Sequence, residues 1–144
     1  MLSPFTLGSE PVQVSSLPVR VLVMDAEPLV RWSLCTALAA AGFDPVAAAD
    51  ASTARQVAGE WPPPRVAVLD LGAERLECLD ILTTLRAFYP ACRCLVMSTE
   101  RQARLPAPFA DAVQVIHKPY DLAQVVRMVR ALAPHESAST EVAP

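Results

Sequence analysis

Glycine is scarce in this chain, four residues in 144, which excludes a glycine-rich phosphate-cradling loop and the flavin binding that such loops serve. Positive charge is also in short supply: 12 Lys and Arg stand against 15 Asp and Glu, for a formal net charge of −3. No basic stripe runs along the sequence, so nucleic acid is not expected as a direct partner. No stretch has the length needed to span a bilayer, and residues 1–18 lack the positive and then apolar pattern of a secretion signal. A cytoplasmic protein without membrane contact is the expectation. The four cysteines have no second Cys or His pair at zinc-ligand spacing, and a core of this size does not need disulfides. They are expected as free thiols used in packing.

What the chain does have is apolar material, 53% of residues, over a length that suits one domain. Apolar strand-like runs alternate with helical patterns. Strands are predicted over 19–24, 43–48, 65–70, 93–98 and 113–117, and helices over 28–41, 51–60, 75–88 and 121–132. Such alternation implies a parallel sheet covered by helices on both faces. Gly42 stands where a helix C-terminal cap belongs, Asp50 and Ser52 offer oxygens at the start of the second helix, and Asp121 can cap the last. The fourth crossover differs. Pro106 and Pro108 lie between Ser98 and Val113, so only a short or irregular turn of helix is expected there, near 100–105. Residues 1–17 read as a flexible N-terminal segment and 134–144 as a disordered tail, since neither has the apolar content to offset the entropy of ordering.

Four polar groups stand at the ends of buried strands. Asp25 ends Val21-Leu22-Val23-Met24, Asp70 ends Val66-Ala67-Val68-Leu69, Ser98 ends Cys94-Leu95-Val96-Met97, and Lys118-Pro119 follows Val113 to His117. An Asp at such a place is often only a cap or turn former. In an open parallel sheet, however, the carboxyl ends of neighbouring strands line one crevice, so these groups can converge. Two acids, a hydroxyl and a lysine suggest phosphoryl chemistry.

The stretches VLVMDAEPLVR, VAVLDLG, CLVMST and IHKPYD follow one another in order, each on a predicted strand end. Through them residues 19–133 resemble the receiver domain of response regulators, the phosphoacceptor module of two-component signalling. The resemblance implies an α/β fold over 18–133, a flavodoxin-like doubly wound sheet of five parallel strands in the order 2-1-3-4-5. It implies that Asp70 accepts a phosphoryl group from a sensor histidine kinase or phosphotransfer protein, with Ser98 and Lys118 contacting the phosphoryl oxygens. It also implies a cis peptide before Pro119. Magnesium would be held by Asp25, Asp70 and the backbone carbonyl of Gly72.

The chain departs from the family pattern at several positions. Ala26 occupies the second acidic position, where the family has a direct metal ligand, so magnesium binding is expected to be weak. Glu27 is a candidate substitute, although its charge also suits the first turn of a helix. Glu74 and Cys78 replace the proline and glycine that usually follow the acceptor, and Val115 replaces the aromatic switch residue. The EPLVRWSL stretch, with Arg31, is similar to receivers of transcription regulators. Trp32 and Trp61 are read as packing residues, and His117 is given no role.

The reading is a non-enzymatic, single-domain receiver that signals through contact with a downstream protein, since the sequence ends soon after the last helix. A homodimer is left open. The alternative is a phosphorylation-independent pseudo-receiver that acts as an interaction module. An Asp-nucleophile phosphatase ranks last, because Gly72 stands where such an enzyme needs a second acid for proton transfer.

Overall fold

The computed structural model describes residues 17–72, 75–100, 105–107 and 109–134. Five strands, β1 (Arg20–Met24), β2 (Asp44–Ala48), β3 (Val66–Asp70), β4 (Arg93–Ser98) and β5 (Val113–His117), form one sheet in the order β2-β1-β3-β4-β5. Every neighbouring pair is parallel. The three central strands are covered on both faces, which is why they read as unbroken apolar runs and not as alternating ones. Pro45 is tolerated because β2 is an edge strand, with β1 as its only neighbour among the described residues.

Helices α1 (Pro28–Ala40), α2 (Ala51–Ala58), α3 (Arg75–Phe88) and α4 (Leu122–Leu132) make the crossovers and cover the sheet. On one face Leu34 and Leu38 of α1 and Val125 and Val129 of α4 pack on Val21, Val23, Val66, Val68, Leu95 and Met97. On the other, Ala51, Ala54 and Ala58 of α2 and Cys78, Ile81 and Leu85 of α3 pack on Leu22, Ala67, Leu69 and Val96. The small side chains of α2 let that helix lie close to the sheet.

The helix ends follow local chemistry. Gly42 has φ +98°, which a residue without Cβ adopts at no steric cost. It closes α1 with paired bonds from Gly42 N to Ala39 O and from Phe43 N to Leu38 O, both 3.0 Å. The Asp50 carboxylate accepts from Thr53 N at 2.8 Å, and that of Asp121 accepts from Gln124 N at 2.7 Å. Predicted element ends shift by one or two residues at most; α2, for example, stops at Ala58 and not at 60.

Between β4 and β5 the described residues contain one 3-10 turn, Phe109–Asp111, and Leu105 beneath it joins the α2/α3 core. The short helical turn expected near 100–105 falls largely outside the described residues. So do Glu74 and nearly all of the segments expected to be flexible over 1–17 and disordered over 134–144.

The two tryptophans require a correction, because neither is a core residue. Trp32 is 64% exposed and Trp61 86% exposed. Trp32 precedes the buried Leu34 by two residues, about 200° around the helix, and so faces solvent. Trp61 follows α2 in a surface turn, after the helix has completed its alanine stripe.

Candidate functional site

The strand ends are brought level by single backbone bonds just beyond the ladders. Asp25 N donates to Ala48 O at 3.1 Å, Leu71 N to Met97 O at 2.8 Å and Lys118 N to Ser98 O at 2.8 Å. They bring the turns after β1, β2, β3 and β5 to one edge of the sheet, where a cleft of about 430 Å³ opens. Asp25, Ala26, Glu27, Asp50, Asp70, Gly72, Glu77 and Lys118 all line it.

Lys118 Nζ donates to Asp70 Oδ1 at 2.5 Å, so the two groups expected to share the crevice are in direct contact. Burial pulls the Lys118 ammonium down, but the hydrogen bond to Asp70 and the charges of Asp70 and Asp25 outweigh it and hold the group above its ordinary value. The Lys118-Pro119 peptide is cis, as the resemblance implied.

Asp25 is 2% exposed. Its Oδ1 accepts from Glu27 N at 2.9 Å, while its Oδ2 is buried without a hydrogen-bond partner. Burial pushes this carboxyl above the usual range; the Glu27 amide pulls it down and the neighbouring Asp70 charge pushes it up again. Such a buried oxygen is costly unless a cation or a water serves it.

Gly72 also fits an oxygen-ligand cation site. A Cβ there would lie 2.8 Å from Asp70 Oδ2, so only glycine leaves room between this backbone and the acceptor carboxylate. The donor set suits a hard divalent cation, which prefers carboxylate and carbonyl oxygens. The set is one acid short at Ala26. Among the described residues no three His, Cys, Asp or Glu side chains converge closely enough to hold a metal ion as they stand.

Ser98 and Glu27 take other positions. Ser98 is 1% exposed, and its hydroxyl accepts from Glu100 N at 3.0 Å rather than lining the cleft. It nonetheless fixes Lys118 through its backbone carbonyl. Glu27 is exposed and is the capping residue just before α1, without a side-chain capping bond. Val115 packs into the α2/α3 core, and His117 faces outward.

Two contributors were not foreseen. Arg31 Nη1 donates to the carbonyl of Asp25 at 2.8 Å and to that of Ala26 at 3.3 Å, pinning the acidic turn from the next helix. Glu77, in the first turn of α3, reaches across to accept from Ala51 N at 2.6 Å, so its carboxylate lies inside the cleft. The EPLVRWSL stretch hinted at Arg31. Nothing local marked Glu77, whose reach depends on where α3 begins.

A second cleft, of about 520 Å³, lies at the opposite ends of β4 and β5, lined by Cys92, Cys94, Arg86 and Phe109 among others. It is remote from the carboxylates. The four cysteines are free, and burial pushes the Cys78 thiol up to about 12, so it stays protonated and acts as an apolar side chain.

A family profile described as the response regulator receiver domain matches residues 21–130. The probable transcriptional regulatory protein TcrX of Mycobacterium tuberculosis is 32% identical over 117 residues, covering 80% of this chain and 50% of TcrX. The chain thus spans about half the length of that relative. Among solved structures, a two-component transcriptional regulator AraC from Clostridium phytofermentans matches with a TM-score of 0.66 at 24% identity, covering 80% of this chain and 91% of the other. A CheY-like receiver domain protein from Methanospirillum hungatei matches with a TM-score of 0.69 at 16% identity, covering 79% and 93%. At these identities the structural likenesses speak for the fold. The sequence matches speak for descent: the chain belongs to the response regulator receiver domain family.

Proposed function

We propose that this domain accepts a phosphoryl group on Asp70 from a phosphohistidine of a sensor kinase or phosphotransfer protein, and signals by protein contact. The observation that carries the reading is the Asp70–Lys118 pair at 2.5 Å beside the buried Asp25, in an open cleft. Lys118 engages Oδ1 of Asp70, which leaves Oδ2 as the attacking oxygen. In the transfer an Asp70 O–P bond forms as the histidine N–P bond breaks, and the imidazole leaves. The resulting acyl phosphate hydrolyses readily, so the signal resets. Lys118 neutralises phosphoryl oxygens throughout, and the Ser98 hydroxyl would have to leave the Glu100 amide to reach them. A magnesium ion held by Asp25, Asp70 and the Gly72 carbonyl would supply further neutralisation of the transferring group. No substrate turnover is assigned to the domain, and its setting is the cytoplasm.

The test is incubation with magnesium and a small phosphodonor, read by intact mass. One added phosphoryl group is expected on the wild type and none on Asp70→Asn. Label persisting in the variant would defeat the assignment.

Ala26 favours a second reading, a pseudo-receiver whose surface acts without phosphorylation. An unlabelled wild type that still captures the same downstream protein as Asp70→Asn would select it. Self-association into a homodimer is compatible with either.

A further inference from the structure

The cleft carries an unbalanced charge. Asp25, Glu27, Asp50, Asp70 and Glu77 line it, and Lys118 is the one cationic side chain among the described residues that do. Asp25 Oδ2 is buried and unserved within it. Ala26 withholds the acid that the turn would otherwise contribute.

The remaining carboxylates differ in what they are free to do. Asp50 is engaged with Thr53, at the start of α2. Glu27 lies at the exposed end of α1. Glu77 is half-buried, and it accepts a hydrogen bond from a neutral amide, Ala51 N. A carboxylate gains more from a divalent cation, which brings two full charges, than from a backbone N–H, which brings only a partial one.

We propose that Glu77 stands in for the acid missing at position 26: with a hard divalent cation in the cleft, Glu77 turns from the Ala51 amide and supplies the third carboxylate. The inference rests on the phosphoacceptor reading above and adds one ligand to the same cleft. It has a consequence for the fold. Ala51 is 2% exposed, so its released N–H depends on Asp50 or on water, and the first turn of α2 loosens when the cation binds. Occupancy of the cleft is thereby reported at α2.

The experiment is a magnesium titration by calorimetry, with the Ala51 amide followed by NMR in the same samples. Glu77→Gln keeps an oxygen for the Ala51 amide and so preserves the helix start, which a thermal melt verifies. The wild type is expected to bind magnesium with a shift and faster exchange of the Ala51 amide. Glu77→Gln is expected to bind roughly tenfold or more weakly, with the Ala51 signal unmoved. Glu27→Gln is expected to stay within about twofold of the wild type, and Ala26→Asp to restore binding in the Glu77→Gln background. Equal affinity for Glu77→Gln and wild type overturns the inference and leaves the phosphoacceptor reading standing. A loss confined to Glu27→Gln also overturns it. A wild type that binds no magnesium and takes no label on Asp70 overturns both.

Discussion

Replacing Asp25 with Asn should make the metal-free domain more stable, although Asp25 belongs to the functional cleft. Its side chain is 2% exposed, and one of its two oxygens is buried without a partner. The ionised form of this carboxyl is therefore a buried charge with few partners, the Glu27 amide and the more distant Lys118 ammonium. Leaving a buried polar group unsatisfied costs about 1–3 kcal/mol, more when the group is charged. Asn retains an oxygen for the Glu27 amide, now 2.9 Å away, and removes the charge, but it puts an unsatisfied NH2 where Oδ2 was. The net gain is then about 1–2 kcal/mol, equivalent to roughly 3–6 °C in Tm for a domain of this size.

The pH dependence gives an independent check. The native carboxyl of Asp25 lies above its ordinary value of 3.8, first because of burial and then, against the pull of the Glu27 amide, because of the Asp70 charge. A group raised in the folded state contributes stability that is fully present below the unfolded pKa and is lost as pH rises through the folded one. Wild-type stability in chelator should therefore decline as pH rises through that interval, and Asp25→Asn should remove this component. Urea denaturation followed by circular dichroism, repeated across acidic to neutral pH, measures both. Magnesium should raise wild-type stability by mass action and raise that of the variant less. A variant less stable than wild type in chelator, or one with the same pH slope, would refute the reasoning.

Ala26→Asp should tighten magnesium binding by about 1 kcal/mol in the wild type, where Glu77 already contributes, and by about 3 kcal/mol in Glu77→Gln; calorimetry decides, and no gain in either background would mean that the pocket lacks more than one acid. Gly72→Ala brings a Cβ to 2.8 Å from Asp70 Oδ2 while Lys118 holds the other oxygen at 2.5 Å, so the acceptor must turn away. Labelling by a small phosphodonor, read by intact mass, should fall roughly tenfold to hundredfold. Asp121→Ala loses the 2.7 Å capping bond to Gln124 N and should cost about 1 kcal/mol of stability by urea titration, most of it recovered in Asp121→Asn.

Local chemistry was enough to determine the elements of this protein. Val66 to Leu69 and Leu95 to Met97 are unbroken apolar runs because both faces of a central strand are buried, and such a run announces itself in one dimension. Gly42, Asp50 and Asp121 act on backbone groups within three or four residues of themselves, so their roles were also legible. So was the convergence of Asp25, Asp70 and Lys118, because a parallel sheet brings every strand's carboxyl end to one edge.

Tertiary structure alone decided what depends on distance through space. Trp32 faces solvent because Leu34 and Leu38 fix which side of α1 meets the sheet. Glu77 belongs to the site only because β1 lies between β2 and β3, which sets the start of α3 against the start of α2, 26 residues earlier in the chain. Residue spacing governs contacts along a helix or strand. Contacts between elements are governed by strand order and by where each helix begins, and both result from packing the whole core.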